Sequence, residues 1–285
     1  MKVNLKNREF NSRVIGTAVG TIGVVSSVIS FFDFSVTFRF RMLCALIVLG
    51  VCYYCWLLYK ANHLESLTLN YGESEIEIKQ GDIFSEEYKK DNTFRTFAFN
   101  EYFDTKVDEE IISKNSLNGQ FINREVPNIS DLDEKMSNDL HLKNNISCVN
   151  KKRVVGDKHI SYELGTIFKY SDNVFLTAMT YFDNENHAHL TVQEYQKFLI
   201  HFWDEINNLY NSQTVVIPLL GSGAVTRLDG NIYSSNQILE IVLFTFYLRR
   251  IKFRKPAHLV ILLDQETNKK INYYKIRSMF NGLQK

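Results

Sequence analysis

The segment Val216-Ile-Pro-Leu-Leu-Gly-Ser-Gly-Ala-Val225 is an unbroken apolar run of strand length that ends in a Gly-x-Gly turn. A run without polar interruption suits a strand covered on both faces, as in a sheet sandwiched between helices. In open α/β sheets the loop after such a strand opens onto the ligand crevice. Gly221 and Gly223 let successive backbone N–H groups point into a concavity that suits phosphate oxygens, and an ordinary turn is the competing reading. Further strands surround this one. Glu75-Ile-Glu-Ile-Lys79 alternates polar and apolar residues as a half-buried strand does, and Phe94 to Phe99, Thr166 to Tyr170, Val174 to Phe182, Thr214 to Pro218 and His258 to Leu263 are β-rich. Helical periodicity runs over Val192 to Tyr210 and Ser235 to Phe253, with Thr191 and Ser234 or Ser235 placed as N-caps. Strands alternating with helices imply a layered α/β domain. The polar stretch Asn115 to Lys152 is expected to be an insertion with one short helix near Asp131 to Leu142.

Two earlier loops also follow strands. In Gln80-Gly-Asp-Ile83, Asp82 can accept from an exocyclic amine while Ile83 packs on a ring; a strand-ending turn capped by the aspartate is the alternative. Ala98-Phe-Asn-Glu-Tyr-Phe-Asp-Thr105 is dense in polar and aromatic side chains of the kind that line small-molecule pockets.

Toward the N-terminus, Val14 to Phe32 and Met42 to Tyr59 are each long enough to cross a bilayer core of ~30 Å as helices. The first apolar run is too long for a cleaved signal peptide, which points to a retained anchor. Lys2, Lys6, Arg8 and Arg13 against Glu9 place the N-terminus in the cytoplasm, and two crossings return the rest of the chain there; Arg39 and Arg41 in the connecting loop would snorkel at an interface. The organisation expected is a cytosolic tail over 1–13, a transmembrane helical hairpin over 14–59 and a soluble domain over 63–285. Gly16, Gly20 and Gly23, continued by Ser27, form a small-residue stripe on one helix face, either an association face or the ordinary glycine and serine content of membrane helices.

Composition excludes several classes. Lys and Arg number 33 against 32 Asp and Glu, so no global field draws the chain to nucleic acid. Cys44, Cys52 and Cys55 lie inside the second apolar run and Cys148 elsewhere, which makes no disulfide framework. His187-Ala-His189, with Asp183 and Glu185, sits in a turn before a helix and reads as solvated, so no metal site is expected. No spacing suggests a nucleophile elbow or a Ser/His/Asp set.

Taken in order, the three loops resemble those of the macro domain, the ADP-ribose-binding fold. The resemblance implies a three-layer mixed α/β sheet with helices on both faces. It also implies an adenine contact at Asp82 and Ile83, a distal-ribose contact at Asn100, and a diphosphate cradle at Leu220, Gly221, Ser222, Gly223, Ala224 and Val225. Asp104 and Thr105 would line the same pocket. Macro domains that hydrolyse ADP-ribosyl bonds carry a triple-glycine run soon after that asparagine. Here the region reads Asp104-Thr-Lys-Val-Asp-Glu-Glu-Ile-Ile-Ser-Lys-Asn-Ser-Leu-Asn-Gly-Gln120, with Asn118 and Gly119 as a substitute loop, so no catalytic residue is expected.

Over nearly the whole chain, the two spans and the runs Ala98 to Thr105, Ser116 to Gln120, Leu164 to Tyr170 and Ile217 to Gly223 resemble the membrane effector of type II Thoeris antiphage systems. That resemblance implies a sensor without cofactor. Its ligand would be an ADP-ribose derivative, histidine-ADP-ribose, made by a partner TIR-domain enzyme. Binding would lead the spans to disrupt the bacterial inner membrane and end in abortive infection; with no ion pathway written in the spans, the small-residue stripe makes homo-oligomerisation through Gly16, Gly20 and Gly23 the expected route. A membrane-anchored ADP-ribosyl hydrolase is the alternative.

Overall fold

The computed structural model describes residues 8–183, 188–223, 228–230, 232–253 and 255–281. These divide into two compact units, one running up to Glu65 and including Ile271–Met279, the other comprising Ser66–Lys270 and the chain from Phe280.

The first unit is built on α1 (Arg8–Ser30) and α2 (Val36–Asn62). At 1.5 Å per residue they extend about 35 and 40 Å, longer than a bilayer core of about 30 Å. Both are long and apolar enough to cross a membrane, and their apolar windows are almost wholly unburied, unlike the core helix of a soluble domain. α1 starts before the apolar run at 14–32 and ends two residues short of it, and α2 extends beyond the run at 42–59 at both ends. Arg39 and Arg41 consequently lie inside α2, where Arg39 donates to the Phe32 carbonyl at 2.9 Å. Hydroxyls of Thr17, Thr21 and Ser27 donate to carbonyls four residues back, which satisfies them within α1. At the other end of the pair Phe10, Val14, Leu58 and Ala61 are buried together. The Phe10 ring meets Tyr54 at 5.7 Å and Tyr274 of α9 (Tyr273–Asn281) at 5.3 Å, both edge-on.

The second unit holds strands β1 (Ser66–Tyr71), β2 (Ser74–Gln80), β3 (Thr93–Asn100), β4 (Ile146–Val149), β5 (Ile160–Tyr162), β6 (Ile167–Ser171), β7 (Val174–Phe182), β8 (Ala188–His189), β9 (Thr214–Pro218) and β10 (His258–Leu263). The main sheet runs β1-β2-β10-β9-β3-β7-β6, with β8 on β7. Its middle is parallel from β2 to β7, and β1 and β6 are antiparallel at the two ends. The helices are α3 (Leu117–Glu125), α4 (Ile129–Asn138), α5 (Leu140–Asn144), α6 (Val192–Leu209), α7 (Ser235–Arg249) and α8 (Gln265–Lys270). Phe97, Phe99, Leu176, Val216 and Val260 pack with Phe121, Leu132, Met136 and Leu142 of α3, α4 and α5. Strand alternation turns Val215, Ile217 and Ile261 to the opposite face, where α6 and α7 are joined by Trp203 Nε1 donating to Thr245 Oγ1 at 3.1 Å.

Thr191 and Ser234 begin α6 and α7 with complete capping boxes, each side chain accepting from the N–H three residues on. The insertion differs from the single helix expected. It contains α3, α4, α5 and β4, which pairs with β5 beyond it, because Ser116, Asn128 and Asp139 each cap a new start within a short polar stretch.

Candidate functional site

Because β2, β10, β9 and β3 are adjacent and parallel, the loops that follow them emerge at one edge of the sheet. That edge carries Asp82-Ile83, Asn100 and the Leu220–Gly223 turn. Backbone bonds register the loops against the central strand: Gly81 N donates to Leu263 O and Leu219 N to Leu262 O, both at 3.1 Å.

After β2, the Asp82 carboxylate accepts from Phe84 N at 2.9 Å, which closes the turn. Asp82 itself is exposed, whereas Ile83 is buried in the core beneath. After β9, the fully buried Tyr195 of α6 donates to the Leu220 carbonyl at 2.6 Å. Burial pushes its phenol pKa far up, so it stays a neutral donor. Gly221 has φ +84°, and a Cβ there would lie 3.2 Å from the Tyr195 ring; the position needs glycine on both counts. Ser222 Oγ donates to Leu219 O at 2.7 Å, and Ser222 and Gly223 are left exposed. Ala224 and Val225, like Glu185 and His187 of the histidine-containing turn, lie outside the described residues.

After β3 the polar side chains are tied inward. Asn100 Oδ1 accepts from Tyr102 N and Asp104 N, and its Nδ2 donates to Asp104 Oδ2 at 2.7 Å. Asp104 in turn receives both guanidinium nitrogens of Arg153, at 3.0 and 2.5 Å, and that guanidinium stacks 3.8 Å over the Tyr102 ring. Thr105 donates to Asp133, which also pairs with Lys158 at 2.6 Å. Burial holds the Lys158 ammonium below its ordinary range against the pull of Asp133. Asp104 and Thr105 therefore shape the loop from inside, and a ligand contact to either would replace an existing bond. Beside them, burial raises the Glu101 carboxyl although Phe182 N donates to it at 3.2 Å.

Asn118 and Gly119 lie in the first turn of α3. Arg95 forks onto Glu125 at the far end of that helix, at 2.7 and 2.8 Å, and Phe97 stacks on Phe121 at 4.5 Å, so α3 runs back along β3 with Asn118 toward the loop edge. A Cβ on Gly119 would overlap the Ser113 carbonyl oxygen, which accounts for the glycine by packing. Tyr195, Arg153 and Lys158 join the site without having been expected there from the sequence. The basic run Lys151-Lys152-Arg153 was the available signal for one of them. A separate open cleft of 590 Å³ lies between α4 and β6, at the other end of the sheet from β2, and is lined by Asp131, Glu134, Lys135, Asp139, Phe168 and Tyr170.

Residues 76–264 match the family model described as Thoeris protein ThsA, Macro domain. Over 262 residues the chain is 42% identical to Thoeris protein ThsA of Bacillus amyloliquefaciens (strain Y2), covering 91% of this chain and 86% of that one. The chain belongs to the Thoeris ThsA family. Among solved structures, a glycine-to-valine mutant of the Oceanobacillus iheyensis macrodomain with ADPR superimposes with a TM-score of 0.50 at 15% identity, over 76% of this chain and 99% of that one. The same macrodomain with ADP gives a TM-score of 0.47 at 14% identity, over 77% and 99%. The fold of this ThsA-family chain is thus a macrodomain-like mixed α/β sheet with flanking helices, preceded by two long apolar helices. Between Asp104 and Gln120 its only glycine is the packed Gly119.

Proposed function

We propose that the chain is a nucleotide-gated membrane effector of the type II Thoeris kind. Its macro domain binds an ADP-ribose derivative, histidine-ADP-ribose, released by a TIR-domain enzyme. Ligand-bound copies assemble, and their helix pairs disrupt the bacterial inner membrane from a topology with the N-terminus and the macro domain in the cytoplasm. The observation that carries this reading is the gathering of Asp82, Asn100 and the Gly221-Ser222-Gly223 turn at one sheet edge in a ThsA-family chain. The O. iheyensis macrodomain, solved with ADPR, supports the ligand class. The stripe Gly16, Gly20 and Gly23 supports assembly, because a Cβ at any of them meets nothing within 4 Å and the stripe is not used between α1 and α2. The absence of a glycine run near Gly119 supports sensing over hydrolysis. A ligand can drive assembly only through its greater affinity for the assembled state.

The test is dye release from liposomes containing the full-length protein, with histidine-ADP-ribose, ADP-ribose or neither added, and chromatography of the nucleotide afterwards. Release that requires the nucleotide and leaves it intact is expected. Turnover of an ADP-ribosylated substrate without dye release would favour the anchored hydrolase.

A further inference from the structure

Helix α7 is apolar on more than the side that packs. Ile238, Leu239, Val242, Leu243 and Phe246 are buried, yet Phe244 and Leu248 remain about half exposed and Ile251 is 87% exposed just beyond the helix end. Steps of four and three align these three on one side. A contiguous exposed apolar strip marks an interaction surface rather than scattered surface leucines. The chain that continues it, Leu248-Arg-Arg-Ile-Lys-Phe-Arg-Lys255, has five basic residues and no acidic one, in a protein whose total charge is +1. Arg249 is paired with Asp204 and Arg250 lies over Tyr71 and Tyr247, while Lys252 and Lys255 are exposed.

A surface of complementary charge exists on the same unit. Residues 128–139 carry Asp131, Asp133, Glu134 and Asp139 against Lys135 alone. Three of those carboxylates line the 590 Å³ cleft against two lysines, Lys135 and Lys169, and its apolar wall is Phe168 and Tyr170 of β6. The contact of Tyr71 with Tyr247, 5.6 Å between rings, puts the end of α7 at the β1 end of the sheet, and the cleft lies at the β6 end. We propose that the Phe244-Leu248-Ile251 face of one copy docks into the α4–β6 cleft of the next, with Lys252 and Lys255 against Asp131, Glu134 and Asp139. The two surfaces differ and lie at opposite ends of the sheet, so the contact is heterologous and propagates head to tail instead of closing as a two-fold pair. The inference specifies the assembly reading above and rests on it.

The test is zero-length carbodiimide cross-linking of full-length protein in detergent, using an equal mixture of ¹⁴N and ¹⁵N chains so that intermolecular links are distinguished by mass. Amide links from Lys252 or Lys255 to Asp131, Glu134 or Asp139 are expected between differently labelled chains. Ile251→Glu, or Glu134→Lys, should reduce them at least about tenfold, as loss of a central anchor does, with unchanged thermal unfolding. Mixing those two variants should restore a link of one polarity and stop growth at pairs. Intermolecular links that form equally with and without ADP-ribose would keep this interface and discard ligand-driven assembly. No such links in either condition, or links from residues 244–255 to the same segment of a second copy, would overturn the proposal. So would shielding of residues 244–255 from carbene labelling in anionic nanodiscs holding one copy, which would assign the face to lipid headgroups.

Discussion

Gly221→Ala tests the turn after β9. With φ at +84° the added methyl meets the left-handed penalty of roughly 1–2 kcal/mol. It would also lie 3.2 Å from the ring of Tyr195, which is fully buried and anchored to the Leu220 carbonyl at 2.6 Å, so the ring cannot withdraw without losing that bond. The loop has to yield instead. If it cradles phosphate oxygens, about 1.4–2 kcal/mol of displacement weakens nucleotide binding about ten- to thirtyfold. Calorimetry with ADP-ribose and thermal unfolding of the same preparations separate the two effects. Affinity and stability both within about 0.3 kcal/mol of the parent, an amount below the noise of typical surface substitutions, would refute the reasoning.

Asp104→Ala leaves Arg153 buried without its carboxylate and should cost about 3 kcal/mol in denaturant unfolding, the lower end for breaking a buried pair because Arg153 keeps Lys158 O and the Tyr102 ring. Glu101→Gln should flatten part of the pH dependence of stability. The folded-state pKa of Glu101 is raised above the ordinary 4.5, so its stabilisation is full below that value and is lost as pH rises through the folded value; parent minus variant unfolding curves should show that fall toward neutral pH. A Cβ at Gly16 or Gly20 meets nothing within 4 Å, so Gly16→Leu with Gly20→Leu should leave folding and nucleotide affinity unchanged while ligand-dependent dye release is lost.

The strands covered on both faces were legible because burial leaves an apolar run, and β2 because one buried face leaves an alternation; β2, β3, β7, β9 and β10 lie within a residue or so of where these patterns place them. The caps Thr191 and Ser234 were legible because capping is local chemistry. What escaped was set by distant partners. Arg153 and Asp104 are 49 positions apart, Arg95 and Glu125 are 30, and nothing within either local stretch records the other. β1 has the alternation of a strand, burying Leu67, Leu69 and Tyr71, but its six residues are squeezed between the second apolar helix and a hairpin turn, where so short a pattern does not stand out. At the site, the residue types and their order were readable. The inward commitment of Asn100 and Asp104, and the dependence of Gly221 on Tyr195, required the packed structure.

The central claim is that this sheet edge binds an ADP-ribose-type nucleotide. Its most direct test is calorimetric titration of the full-length protein in detergent with ADP-ribose and with histidine-ADP-ribose. Saturable binding of one nucleotide per chain is predicted, tighter for the histidine conjugate and weakened by Gly221→Ala. No heat of binding for either nucleotide, from protein shown to be folded, would contradict it.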